Sequence, residues 1–369
     1  MTGIEMRIST IFDGNIGWQH NGYTYRLAVG AQTIEAPNGD LICGWMTGGD
    51  KQPAEDHVFV YARSEDRGQS WSQPEVLAGG NGQNGGGNLF RVGDRLFAMC
   101  AIWEDHYNIW HYTRRESHDN GKTWTGAVPI TLLEGDGLSS NFGNLLYTSD
   151  GELLGCGTFI RRREKRLLAS AERLAFAKDE AEAQNMEPRR PDESGILHYE
   201  EMQAGLFSFG ASADLTTFTT HGRVCNRPLG LLEPNIFELE PGHLILLCRA
   251  DWGGYLWRSD SFDGGRHWSD GYQTDIPNSG SLAQLLRLPD GRIALFHTPT
   301  GGVVGRAGPR DRLSVWVSRD EMKSWYIQED IILGGYVTHP CPLVLQDGTV
   351  AFSYDKNQRW AEYVEINIP

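Results

Sequence analysis

Seven side chains able to do acid–base or hydrogen-bonding chemistry stand at a similar offset ahead of six turns: Gln32, Asn88, Asn144, Glu233 with Asn235, Gln284 and His339. A set of amides, one carboxylate and one imidazole is unlike core filling, and it offers donors, acceptors and a proton-transfer group to a polar ligand. Short amides also satisfy strand-end backbone groups, so ligand contact and local capping both stand for each Asn and Gln. Arg249 follows Glu233 at the far end of the same hairpin, in Leu-Leu-Cys-Arg-Ala-Asp. A carboxylate and a guanidinium so placed can face one pocket, where the planar fork of arginine suits an anionic ligand.

These positions converge only if their hairpins are gathered about one axis. The turns fall at Asn38-Gly39, Gly93-Asp94, Asp150-Gly151, Pro241-Gly242, Asp290-Gly291 and Asp347-Gly348, each between short apolar runs, which predicts six hairpins and six sheets. A second signal, Ser-x-Asp-x-Gly-x-x-Trp, is complete at 64–71, 117–124 and 261–268; it has lost its Gly at 318–325 and is shortened at 212–218. Its Asp can cap turn N–H groups, its Gly permits positive φ and its Trp tucks under the turn, so its role is structural. One interval, from 117 to 212, is too long, and the surplus sits at 161–202, where Leu167, Ala171, Leu174 and Ala175 recur at helical spacing ahead of a Pro-rich loop. The pattern predicts an all-β, six-bladed β-propeller with Asp-box hairpins, a single domain over 1–369, with a helical insertion at 161–202 between the third and fourth blades. A strand at about 4–12 is expected to complete the last blade and close the ring, leaving no open sheet edge.

Box, spacing and six-fold count together resemble the sialidase superfamily of BNR-repeat (Asp-box) propellers, over nearly the whole chain apart from the insertion. The resemblance implies roles for particular residues. Glu233, in Leu-Leu-Glu-Pro-Asn-Ile-Phe-Glu-Leu, is similar to the family Glu that pairs with a nucleophilic Tyr, and Arg249 to the second Arg of a substrate-carboxylate triad. Arg310, in Arg-Asp-Arg-Leu-Ser-Val-Trp-Val-Ser, matches the third Arg, with Arg306 and Arg312 as rivals. The first Arg is expected where the chain has Val29; Arg26 stands three residues early, which leaves the triad incomplete. The nucleophilic Tyr should precede the inner strand of the sixth blade, where the chain reads Gly-Gly-Tyr336-Val-Thr-His339-Pro. Either Tyr336 is carried inward or His339 has taken its place. The family's acid is an Asp in the loop after the second strand of the first blade, which points to Asp50 first and Asp56 second. Trp103 and His106, in the equivalent loop of the second blade, suit stacking on a sugar ring.

With 40% hydrophobic and 22% charged residues, the 369-residue chain has the material for a core. Its net charge of −15 repels phosphate backbones and anionic lipid, so neither nucleic acid nor membrane is expected as a partner, and an anionic ligand needs a local Arg cluster. Six cysteines at wide spacings, without a C-x-x-C pair, read as reduced buried thiols; with no apolar segment at the start, they suggest a cytoplasmic protein. No metal-ligand spacing and no phosphate loop is present, so no cofactor is expected. The resemblance then implies an exo-acting glycoside hydrolase of the sialidase-like type, acting on an acidic sugar, sialic-acid-like or uronic. Two alternatives stand beside it: a uronate- or rhamnose-specific hydrolase or a polysaccharide lyase using His or Tyr, and a non-catalytic carbohydrate-binding propeller. The insertion reads as a homo-oligomer contact, a lid or a surface decoration.

Overall fold

All six turns reverse the chain, with Gly39, Gly93, Gly151, Gly242, Gly291 and Gly348 at φ between 62 and 89°. Only a residue without a Cβ takes that conformation without strain, which is why the sequence marks these sites so clearly. The protein is described from a computed structural model covering residues 3–49, 56–80, 84–104, 109–131, 138–162, 202–224, 230–250, 253–302 and 308–369. The helical expectation for 163–201 therefore lies outside the described residues, as do Asp50, His106 and Arg306.

Strand β1 (Glu5–Asp13) is followed by a two-stranded ribbon, β2 (Trp18–His20) and β3 (Tyr23–Tyr25). The first blade is β4 (Val29–Glu35), β5 (Leu41–Thr47), β6 (Val58–Ser64) and β7 (Glu75–Gly79). The second is β8 (Asn84–Val92), β9 (Arg95–Glu104), β10 (Ile109–Ser117) and β11 (Val128–Ile130), and the third β12 (Leu138–Tyr147), β13 (Leu153–Arg162), β14 (Met202–Ala211) and β15 (Phe218–Val224). The fourth is β16 (Leu231–Glu240), β17 (His243–Ala250), β18 (Gly254–Ser261) and β19 (Tyr272–Asn278), and the fifth β20 (Gln284–Arg287), β21 (Ile293–His297), β22 (Arg312–Ser318) and β23 (Ile327–Leu333). The sixth joins β24 (Val337–Val344), β25 (Val350–Lys356) and β26 (Trp360–Asn367) to β1, which pairs antiparallel with β26 from Glu5↔Asn367 to Asp13↔Trp360.

The core is divided among the joints between blades. Among the described residues six apolar clusters are present, each bridging two neighbouring blades; Phe296 meets Phe352 between blades five and six, and Trp45 shares a cluster with Tyr363 between one and six, joined there by Trp18 of the ribbon. That last joint closes the ring. In the first Asp box, Asp66 accepts from the N–H groups of Gln69 (3.0 Å) and Ser70 (2.8 Å), while Ser64 Oγ accepts from Gly68 N–H at 2.7 Å. Trp71 packs edge-on against Tyr363 of blade six, and Trp124 likewise against Tyr61 of blade one, so each of these boxes pins its own turn and the joint beside it.

The insertion is differently placed from the sequence expectation. β13 and β14 pair without interruption from Leu154↔Gly210 to Arg162↔Met202. The chain therefore leaves and re-enters the same sheet, and the inserted segment interrupts blade three between its second and third strands instead of joining blades three and four. Arg161, Arg162 and Met202 are strand residues.

Candidate active site

The first strands of the blades border a cavity of about 780 Å³ on the axis, lined by Gln32, Asn88, Asn144, Glu233, Gln284 and His339 among others. Asn235 is buried, 1% exposed, and turned away from it. Three of the amides serve as clamps between blades. Gln32 Oε1 accepts from Leu89 N–H (2.9 Å) and Asn235 Oδ1 from Leu285 N–H (3.0 Å); Asn144 accepts from Ile236 N–H and donates to its carbonyl, both at 2.8 Å. For these three the bond to the neighbouring blade's backbone is formed, and Gln32 and Asn144 line the cavity as well. Asn88 and Gln284 remain as amides on the cavity wall.

Glu233 and His339 reach the cavity through the same backbone device. In β16, Leu232 pairs with Arg249 and Asn235 with Leu247, and in β24, Thr338 pairs with Asp355 and Cys341 with Ser353. Each register break leaves a bulge, Glu233-Pro234 and His339-Pro340, whose first residue is left-handed, at φ 54° and 51°. Such a conformation costs a non-glycine residue about 1–3 kcal/mol and persists only where the surroundings over-determine it.

Those surroundings are charge pairs. Arg249 grips Glu233 with Nε–H to Oε2 at 2.6 Å and Nη2–H to Oε1 at 3.0 Å, a bidentate fork. Burial pushes the Glu233 carboxyl upward, but Arg249, with His339 and Arg310 further off, outweighs it and holds the group down at about 2. His339 Nδ1 lies 2.7 Å from Asp355 Oδ1, leaving Nε2 for the cavity. Burial works to lower the imidazole's value, yet Asp355 and then Glu233 raise it above the ordinary 6.5 against the opposition of Arg310.

Beside the axis is a second hollow of about 380 Å³, lined by Arg249, Arg310, Tyr336 and the loop around Gly280. The Gly280 carbonyl accepts from Arg249 Nη1 (3.2 Å) and Arg310 Nη2 (2.7 Å), so one backbone oxygen anchors both cations. Asn278 Oδ1 fixes that loop by accepting from Gly280 and Ser281 N–H groups at 2.8 and 3.0 Å. Arg310 Nη1 donates to the Tyr336 hydroxyl at 2.8 Å. Among the described residues, no carboxylate lies within ion-pair distance of Arg310, which makes it the cation available to an incoming anion.

Other expected site residues lie elsewhere. Arg26 donates to the Gly14 and Asn15 carbonyls at 3.3 and 2.9 Å, on the turn after β1, and lines neither hollow. Its position three residues early is not made up by a bulge, because Arg26 and Leu27 are already bonded to the Gly48 carbonyl. Asp56 receives the Tyr23 hydroxyl and the Gly49 N–H (2.9 Å), bracing the β2–β3 ribbon against the loop of blade one instead of facing the cavity. Tyr336 is 40% exposed and its hydroxyl meets Arg310, while Glu233 is committed to Arg249, so the Tyr–Glu pair implied by the resemblance is not formed. Trp103 is a residue of β9, next to its last, opposite Trp110 in the backbone register, and not of the loop where the sequence reading put it. Arg312 pairs with Asp311 and Asp330 at the surface. Sequence reasoning missed Asp355; the signal was its spacing, since it follows His339 by 16 residues as Arg249 follows Glu233.

Solved structures share this architecture at low identity. A protein of unknown function from Dyadobacter fermentans DSM 18053 superposes with a TM-score of 0.66 at 15% identity, over 98% of this chain and 99% of that one. The intramolecular trans-sialidase from Ruminococcus gnavus, in complex with oseltamivir carboxylate, gives 0.64 at 13%, over 98% and 97%. An α-L-arabinanase from Penicillium chrysogenum, complexed with arabinobiose, gives 0.58 at 15%, over 98% and 97%. No curated protein matches the chain. The family model described as BNR repeat-like domain matches residues 39–366, and this chain, a six-bladed β-propeller, belongs to that family.

Proposed function

We propose that this protein is a sialidase-like glycosidase that releases a terminal acidic sugar at the hub of its propeller. The observation that carries the reading is Arg310: a guanidinium without a carboxylate partner among the described residues, at the edge of a cavity, in a chain of net charge −15. Arg310 would receive the sugar carboxylate, with Arg249 fixing its depth through the shared Gly280 carbonyl. Its planar donors match a carboxylate better than any neutral substituent.

His339, raised above its ordinary value, is suited to give a proton from Nε2 to the departing glycosidic oxygen. Water then adds to the anomeric carbon, and its surplus proton restores the imidazolium. The Glu233 carboxylate, ionised across the neutral range, faces the positive charge that develops on the sugar ring. Two proteins of the same fold were solved with small ligands, a trans-sialidase with oseltamivir carboxylate and an arabinanase with arabinobiose, which supports a ligand of sugar size for this one.

A second reading, elimination from a uronate, is favoured by the His339–Asp355 pair and by the Arg26 side chain lying outside the site. Neutral His339 would then take the proton next to the carboxylate on Nε2, the freed electron pair forming a carbon–carbon double bond as the glycosidic C–O bond breaks, and pass that proton to the departing oxygen. Incubation with acidic oligosaccharides distinguishes these: hydrolysis gives a saturated sugar plus a reducing end, and elimination gives an ultraviolet-absorbing unsaturated product. Glu233→Gln should lower kcat by about 100-fold or more with the fold intact. Binding without turnover, or an unchanged rate in the variant, contradicts the proposal.

A further inference from the structure

Blades four and six carry the same construction with the charges exchanged. Each inner strand breaks register at an X-Pro bulge, each X is left-handed, and in each the residue that faces the start of the bulge from the second strand holds the X side chain. In blade four the holder is a cation on a carboxylate, Arg249 on Glu233, and in blade six an anion on an imidazole, Asp355 on His339. Sequence spacing is identical, at 16 residues.

Asp355 is placed for this task and little else. It is 0% exposed, at the end of β25, and besides His339 it accepts from Gly30 N–H at 2.9 Å and from the Thr338 hydroxyl. Gly30 lies at the bulge of blade one, between Val29 and Gln32, so Asp355 also ties the closing joint of the ring to the imidazole. Three donors fix the carboxylate's orientation, and a carboxylate so fixed accepts the Nδ1 proton of a neighbouring ring. The charged groups facing His339 are Asp355, Glu233 and, in opposition, Arg310.

We infer that Asp355 is the positioning residue of the site: it holds Nδ1–H of His339, fixes the ring's tautomer and aims Nε2 into the hub. The inference rests on the reading of His339 as the proton-transfer group, and its test separates the two. With ¹⁵N-labelled histidine, nuclear magnetic resonance of the full chain should find neutral His339 with its proton on Nδ1. In Asp355→Asn the titration midpoint of His339 should fall by about one pH unit or more, because a single opposite charge at contact is worth that much. Asp355→Glu should restore part of the shift, and Thr338→Val, which removes another donor to the same carboxylate, should leave the midpoint within about 0.3 units.

On an acidic oligosaccharide, Asp355→Asn should lower kcat by about 100-fold or more with KM within about three-fold, and move the pH profile in step with the resonance shift. An Nε2–H tautomer in the unaltered protein, or an unshifted His339 in Asp355→Asn, overturns the inference. The tautomer measurement decides even if the variant does not fold. A shifted His339 with unchanged turnover leaves the positioning intact and removes His339 from the reaction.

Discussion

Two hydrogen-bonded pairs at the hub, Glu233 with Arg249 and His339 with Asp355, set how individual residues respond to pH. Glu233 titrates near 4.5 in an unfolded chain and is held down at about 2 in the fold. Its contribution to stability is full above the unfolded value and is lost as pH falls toward the folded one. Unfolding free energy, followed by denaturant titration, should therefore fall more steeply between pH 4.5 and about 2 in the unaltered protein than in Glu233→Gln. Parallel curves would show that Arg249 does not stabilise the carboxylate. His339 runs the other way: its value is raised, so its contribution is complete below 6.5 and disappears as pH rises through the folded value. Arg249 was legible in the sequence because its hairpin resembles a known segment. Asp355 was not, because an acid ending the apolar run Val350-Ala-Phe-Ser-Tyr reads equally well as a strand end. Gln32, Asn144 and Asn235 show a different difficulty: a ligand amide and a clamp amide occupy the same strand position, and only the reach of the next blade's backbone distinguishes them.

Elements were legible where their chemistry is local. Positive φ at Gly39 or Gly151 and carboxylate capping by Asp66 are decided within a few residues, so turns and boxes can be read directly from the chain. The insertion's place was not, because whether β14 belongs with blade three depends on its pairing with β13 across a segment of about 40 residues. How inner strands are fastened to one another also becomes visible only in three dimensions. Asn144 spans from β12 to β16 with two hydrogen bonds to Ile236, which is 0% exposed. Asn144→Ala leaves a buried N–H and a carbonyl unpaired and should cost about 1–3 kcal/mol. The midpoint of urea unfolding checks this, and a change under about 0.3 kcal/mol would mean that the joint is held by its apolar cluster alone.

At the scale of the whole molecule, closure is what turns six weak local signals into one site. β1 on β26, and the cluster that joins Trp45 to Tyr363, bring the two ends of the chain together, and the ring then places Glu233 of blade four and His339 of blade six on one cavity wall. In a chain of net charge −15, Arg249 and Arg310 line one hollow together, and the proposal of an acidic sugar rests on that placement. Calorimetric titration of Glu233→Gln with glucuronate and with its uncharged alcohol counterpart tests that claim most directly. The acid should bind at least about ten-fold more tightly, a preference that Arg310→Ala abolishes. Equal affinity for the two sugars, or a preference that survives the loss of Arg310, would contradict it.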